Sequence, residues 1–165
     1  MGAGKTTVGR SLAKRLSKVF LDTDHEIEER TGVRVSVIFE IEGEAGFRKR
    51  EADALAHMAR LDNVVLATGG GIVLDSRNRE ILKEQGCVVY LHARPPELVK
   101  RLGKDKSRPL LQGIDPLTRL HELYTIRDSL YREVADLVVD TGRQSVSTLL
   151  GHLLLRLETE CKLIP

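Results

Sequence analysis

Four short apolar runs constrain this chain more than any other feature: Val19-Phe20-Leu21, Val64-Val65-Leu66-Ala67, Cys87 to Leu91, and Leu137-Val138-Val139. Each is continuous rather than alternating. A strand that is apolar on both faces is covered on both faces, the pattern of a parallel sheet between helices. The segments between the runs read as helices. Val8, Leu12 and Leu16 recur every four residues between Thr6 and Ser17. Asp24 to Thr31 is a short charged helix with Gly32 as its stop. Ser36 is placed to cap another that ends near Gly43, and Glu44 to Arg60 is longer, with Phe47, Leu55 and Met58 toward the core. Ser76 opens a helix that Gly86 stops, and Pro95-Pro96 opens one that ends at Gly103. Pro116 to about Val134 is helical, and Val146, Leu149, Leu150, Leu153, Leu154 and Leu157 mark the last helix. The expected architecture is α/β in three layers, helices on both faces of a parallel sheet, with ligands beyond the carboxyl ends of the strands.

At 165 residues the chain has the length of a single domain with a sizeable core. Its 26 basic and 24 acidic residues leave a net charge of +2, which gives no basic surface for nucleic acid or membrane. No apolar run approaches the ~18 residues of a membrane span, and the N-terminus carries no signal-peptide pattern. Cys87 and Cys161 lie far apart and neither belongs to a C-x-x-C pair, so free thiols in a reducing, cytoplasmic setting are expected. The five histidines show no ligand spacing and are expected at the surface or in ordinary core positions.

The chemistry starts at Gly2-Ala3-Gly4-Lys5-Thr6-Thr7. Gly4-Lys5-Thr6 is the back half of the pattern G-x-x-x-x-G-K-[ST]: glycines turn backbone N–H groups toward phosphate oxygens, the lysine adds positive charge, and the hydroxyl can hold Mg²⁺. The helix that follows aims its positive end at the same anion. Asp22 and Asp24 sit at a strand end. Gly69-Gly70-Gly71 follows another strand, where a bare backbone can approach a ligand closely. Arg48, Arg127 and, ranked lower, Arg132 are candidates for bidentate recognition of a carboxylate. Residues 103–115, charged and rich in Gly and Pro, form a long connection that includes Arg108.

Taken together, Gly-Ala-Gly-Lys-Thr at 2–6, Asp22-Thr23-Asp24, Gly46-Phe47-Arg48, Gly69-Gly70-Gly71, Arg108-Pro109-Leu110-Leu111 and Arg127-Asp128-Ser129-Leu130-Tyr131 resemble the shikimate kinase family, within the nucleoside-monophosphate-kinase-like P-loop group. The order and spacing match over nearly the whole chain. The resemblance implies a P-loop kinase domain over 1–165, with a substrate-binding segment at about 24–60 and a lid at about 103–115. It implies ATP-dependent phosphorylation of the shikimate 3-hydroxyl, in aromatic amino-acid biosynthesis. ATP would be bound by Gly2, Ala3, Gly4, Lys5, Thr6, Thr7, Arg108 and, in the adenine-side loop Arg143-Gln144, by Gln144. Mg²⁺ would be held by Thr6 and Asp22. Shikimate would be bound by Asp24, Arg48, Gly70 and Arg127, with Lys5, Asp24 and Arg108 acting in catalysis. A monomer is expected, because no exposed apolar helix stripe is left over.

One departure stands out. The family pattern begins with a central strand, the first of five, and with a loop glycine two positions before Met1. The expectation is that the start is recorded late or that the chain is a fragment, with a gap in the sheet and with poor ATP affinity and stability. Two other readings stay open: a different small-molecule kinase of the same group, such as a gluconate kinase, and a non-catalytic nucleotide-binding relic.

Overall fold

The structure is a computed structural model that describes residues 2–102, 115–142 and 144–161. Helices and strands alternate: α1 (Lys5–Arg15), β1 (Val19–Asp22), α2 (Thr23–Thr31), α3 (Val35–Met58), β2 (Val64–Ala67), a 3₁₀ turn (Ile72–Leu74), α4 (Ser76–Gln85), β3 (Val89–His92), α5 (Pro95–Leu102), α6 (Pro116–Val134), β4 (Leu137–Asp140) and α7 (Val146–Glu160). The expected α/β fold with parallel strands is present. β1 pairs with β2 in parallel from Val19↔Val64 to Asp22↔Ala67, and β3 pairs with β4 from Val89↔Leu137 to His92↔Asp140.

Among the described residues the two pairs do not join into one sheet. Between β2 and β3 lies a cleft of about 520 Å³. Its walls are apolar: Val8, Leu12 and Leu153 on one side, Leu55, Ile72 and Val134 on the other. Native interiors hold few voids larger than a water molecule. The gap in the sheet expected from the sequence lies here, between β2 and β3.

The rest of the core is conventional. α1 and α7 lay one apolar stripe each against β4, burying Val8, Leu12, Leu149, Leu150, Leu153 and Leu157 with Leu137 and Val139. Burial of each large side chain contributes about 1.5–3 kcal/mol. A second cluster, Ile27, Ile38, Phe47, Ala54 and Met58, ties α2 to α3 beneath Leu21 and Leu66. A third joins Leu55, Ile72, Val73 and Val134. Among the described residues no helix is long and apolar enough to cross a membrane.

Two local expectations are corrected. Ser36 does not cap a helix: Arg34 is the cap of α3, and Glu28 Oε1 satisfies the first-turn N–H of Val35 at 2.9 Å. The expected break near Gly43 is present: α3 is two helices that meet at a kink there, where Gly43 takes non-helical φ 69°. The cysteines are not free thiols. Cys87 and Cys161 form a disulfide, with Cα atoms 6.0 Å apart, that joins the start of β3 to the end of α7. The fold folds α7 back beside β3, and a separation of 74 residues in sequence hides that proximity.

Candidate active site

The phosphate loop is built by glycine. Gly4 adopts φ +89°, a left-handed conformation that L side chains rarely take, and is itself the cap residue of α1. The first turn of α1 contains no acidic residue, so its positive end is not neutralised by the chain. Ala3 and Lys5 line the end of the cleft, and Thr6 and Thr7 are exposed. Thr6 donates from Oγ1 to Asp22 Oδ2 at 3.3 Å. The other Asp22 oxygen accepts from the Asp24 N–H at 3.1 Å and so caps α2. The helix cap at this strand end is thus Asp22, which leaves the Asp24 carboxylate out of capping. A hydroxyl and a carboxylate at one edge of an anion site fit Mg²⁺, which takes one or two protein oxygens and fills its shell with water and phosphate. Among the described residues no cluster of three or more His, Cys, Asp or Glu offers another metal site.

Beyond the carboxyl ends of β1 and β2 the polar groups converge. Thr23, fully buried, accepts through Oγ1 from the Gly69 N–H at 3.1 Å and pins the glycine turn to α2. Space is tight at two of the glycines: a Cβ at Gly69 would displace the Glu51 carboxylate and touch Asp24, and one at Gly71 would displace the Arg48 guanidinium. Arg48 donates from Nη1 to Glu51 Oε2 at 2.6 Å and from Nη2 to Glu44 Oε1 at 2.9 Å. Glu51 is fully buried, and its Oε1 has no hydrogen bond among the described residues. Burial pushes its carboxyl above the usual range; Arg48 and Arg127 pull it down, and Asp24 adds to the rise. Arg127 projects from α6, is 7% exposed, and has its Nε without a hydrogen bond among the described residues. Tyr131, one turn further on, donates to the carbonyl of Gly70, and burial raises its phenol pKa.

This arrangement separates the candidate arginines. Arg48 and Arg127 flank one buried carboxylate. Arg132 is exposed on the other side of α6, pairs with Asp128 at 2.8 Å and lies over the Tyr90 ring. Gln144 stands apart, after β4, with Nε2 donating to the Asp140 carbonyl at 2.7 Å. Beside it, Arg101 of α5 holds Thr141 and Gly142. Gly2 packs on Leu98 and Leu102 of that helix, so the phosphate loop reaches this region too. Arg108, Arg143 and the 103–114 part of the lid segment lie outside the described residues.

Comparison with known proteins decides the family. The family model described as shikimate kinase matches residues 1–158. The chain belongs to the shikimate kinase family. Curated shikimate kinases from Burkholderia lata and Burkholderia pseudomallei are each 58% identical over 158 residues, which is 96% of this chain and 86% of theirs. A solved shikimate kinase from Acinetobacter baumannii, in complex with shikimate, superposes with a TM-score of 0.92 at 48% identity, covering 99% of this chain and 90% of that one. The Aquifex aeolicus shikimate kinase gives a TM-score of 0.84 at 33% identity, covering 98% and 94%.

Several residues of this shikimate kinase family site escaped the sequence reading. Glu51 stands three residues after Arg48, the spacing of a helical ion pair, but the sequence carries no sign that the pair is buried. Thr23 lies between the two aspartates and does its work through a hydrogen bond 46 residues away. His92 is an ordinary core position, as expected, and lies outside the converging site: its Nε2 is 3.1 Å from Tyr124 Oη and its Nδ1 3.4 Å from Asp140 Oδ2. Spacing could not show that contact, since it depends on β3 and β4 being neighbours.

Proposed function

We propose that this chain transfers the γ-phosphoryl group of ATP to the 3-hydroxyl of shikimate, releasing ADP and shikimate 3-phosphate, as a step toward the aromatic amino acids. The observation that carries this reading is the convergence of Arg48, Arg127, Asp24 and the Gly69–Gly71 turn on one pocket adjoining the Thr6–Asp22 pair.

In this reading Arg48 and Arg127 receive the substrate carboxylate. A buried guanidinium with an unused N–H offers both charge and directed donors, which fixes the ring as well as binding it. Glu51 holds Arg48 in place and supplies the counter-charge that makes two arginines tolerable side by side. Asp24 faces the glycine turn, where it orients the attacking hydroxyl and accepts its proton. Gly70 offers backbone to the substrate, its carbonyl fixed by Tyr131. Gly2, Ala3, Gly4, Thr6 and Thr7 cradle phosphate, Lys5 neutralises developing charge, and Gln144 faces the adenine side. Thr6 and Asp22 would hold Mg²⁺, which would neutralise charge between the β- and γ-phosphates. Arg108 is assigned to the transferring phosphoryl group on its sequence motif. We further read residues 1–165 as one kinase domain, with 24–60 closing on shikimate and 103–115 on ATP, acting as a monomer in the cytoplasm.

The test is shikimate-dependent ADP release by the purified chain, with gluconate and the methyl ester of shikimate as competitors for the assignment. Turnover with shikimate and not with the ester or gluconate is expected. Turnover with gluconate, or equal turnover with the ester, would replace this reading by that of another small-molecule kinase.

A further inference from the structure

Away from the substrate pocket, one buried imidazole joins three elements. His92 is the last residue of β3 and is 8% exposed. Its Nδ1 is 3.4 Å from Asp140 Oδ2 at the end of β4, and its Nε2 is 3.1 Å from Tyr124 Oη on α6. The partners fix where the ring carries its hydrogen. The Gly142 N–H, helped by His92, holds the Asp140 carboxyl below the usual carboxylate range, so this group is ionised and can only accept. In the neutral ring Nδ1 therefore carries the hydrogen, and Nε2 accepts from the Tyr124 hydroxyl.

Asp140 is where this contact leaves the core. Its side chain is 65% exposed, so packing does not hold it. It nevertheless organises the turn after β4. Oδ1 accepts from the Gly142 N–H at 2.8 Å, and the Asp140 carbonyl accepts from Gln144 Nε2 at 2.7 Å. The backbone of His92 grips the same turn: its carbonyl accepts from the Thr141 N–H at 2.8 Å and from the Thr141 hydroxyl at 3.1 Å. Gly142 in turn lines a cavity of about 210 Å³ with Glu97, Lys100 and Arg101 of α5.

We propose that His92 is a positioning residue for nucleotide binding: through Asp140 it sets the turn at 140–142 and the Gln144 side chain that follows it. The inference rests on the reading of this chain as an ATP-dependent kinase whose 143–144 loop faces adenine. Gly142 is served by one oxygen of an exposed carboxylate, and an exposed aspartate free to change rotamer would satisfy that N–H only part of the time. His92 Nδ1 holds the second oxygen and so selects the rotamer that caps the turn. The other ring contact leads elsewhere. Tyr124 stands three residues before Arg127 on α6, so an influence through Tyr124 would appear in shikimate affinity and one through Asp140 in nucleotide affinity.

The two ring contacts can be separated in the whole chain. His92→Asn places an amide N–H where Nδ1 stands and keeps the Asp140 contact. His92→Gln places it where Nε2 stands and keeps only the Tyr124 contact. Calorimetry with a non-hydrolysable ATP analogue, and separately with shikimate, reads each variant. Expected are an analogue affinity lowered about fivefold in His92→Gln and retained in His92→Asn, with shikimate affinity unchanged in both. Asp140→Ala should itself weaken the analogue, and in that background His92→Gln should add no further loss. Equal losses in His92→Asn and His92→Gln, a loss that persists in the Asp140→Ala background, or shikimate affinity falling in step with the analogue would each overturn the proposal. If His92→Gln does not fold, Asp140→Ala carries the test alone: it must weaken the analogue and spare shikimate, and an unchanged analogue affinity overturns the proposal. Failure of the kinase reading looks different, since the unaltered chain would then bind no analogue at all.

Discussion

The two strand pairs of this molecule are built differently. At the carboxyl end of β1 and β2 the polar groups are tied by hydrogen bonds between neighbouring elements, Thr6 to Asp22, Asp24 N–H to Asp22 and Gly69 N–H to Thr23, and by the Arg48–Glu51 pair within α3. The β3–β4 pair is held instead by an aromatic and histidine network, by Arg101 reaching across to Thr141, and by the Cys87–Cys161 bridge. On the proposed function the first half is the substrate side and the second the nucleotide side, and the second is tied by one disulfide. The phosphate loop touches both halves, and the apolar cleft runs between them. Gly69, Gly70 and Arg127 line that cleft on one side of the loop and Ala3 and Lys5 belong to the loop itself, so both proposed recognition regions border it.

The substitution with the largest expected effect separates chemistry from binding in the first half. Asp24→Asn should lower turnover by up to about 10⁴-fold, about 5 kcal/mol in the barrier, with little change in shikimate affinity. Steady-state rates beside equilibrium binding would show this, and a matching loss of affinity would mean that Asp24 holds substrate more than it moves a proton. In the second half, Cys87→Ser or reduction should lower stability by about 4 kcal/mol, since the bridge closes a loop with a sequence separation of 74. Melting curves with and without reductant measure it. Shikimate affinity should not move, and a parallel loss of binding would erase the distinction drawn between the halves.

Next in size is the contrast within α6. Arg127→Lys should weaken shikimate binding by about 2 kcal/mol, while Arg132→Lys leaves it unchanged. Equal effects would mean that the orientation of α6 has been misread.

The smallest effect is one of slope. Burial raises the Glu51 carboxyl above its ordinary value of 4.5. A raised folded-state pKa means stability that is fully present below 4.5 and is lost as pH rises through the folded value. The melting temperature should therefore decline over that window, and Glu51→Gln should remove this component whatever it does to absolute stability. An unchanged slope would indicate that the Arg48 pair fully offsets the burial.

Much of this was legible in the sequence because it was local. The runs at Val64–Ala67 and Leu137–Asp140 became strands with those limits, and Pro116–Val134 a helix. Gly32 ends α2 at φ +71°, as its position suggested. Arg48, Arg127 and the glycine turn were found by motif, and they do meet in space. What stayed hidden depends on contacts across the fold. Glu51 looks like any surface glutamate until Gly69 and Arg48 close over it. The disulfide was hidden because residues 74 apart gave no cue that α7 returns beside β3.

The central claim is that the pocket beside β1 and β2 is a complete shikimate site in its own right. Titration calorimetry of shikimate into the folded chain, without nucleotide, tests it most directly. The account predicts saturable 1:1 binding that Arg127→Lys weakens and gluconate does not reproduce. A folded chain that takes up no shikimate until nucleotide is added, or that binds gluconate as tightly, would contradict it.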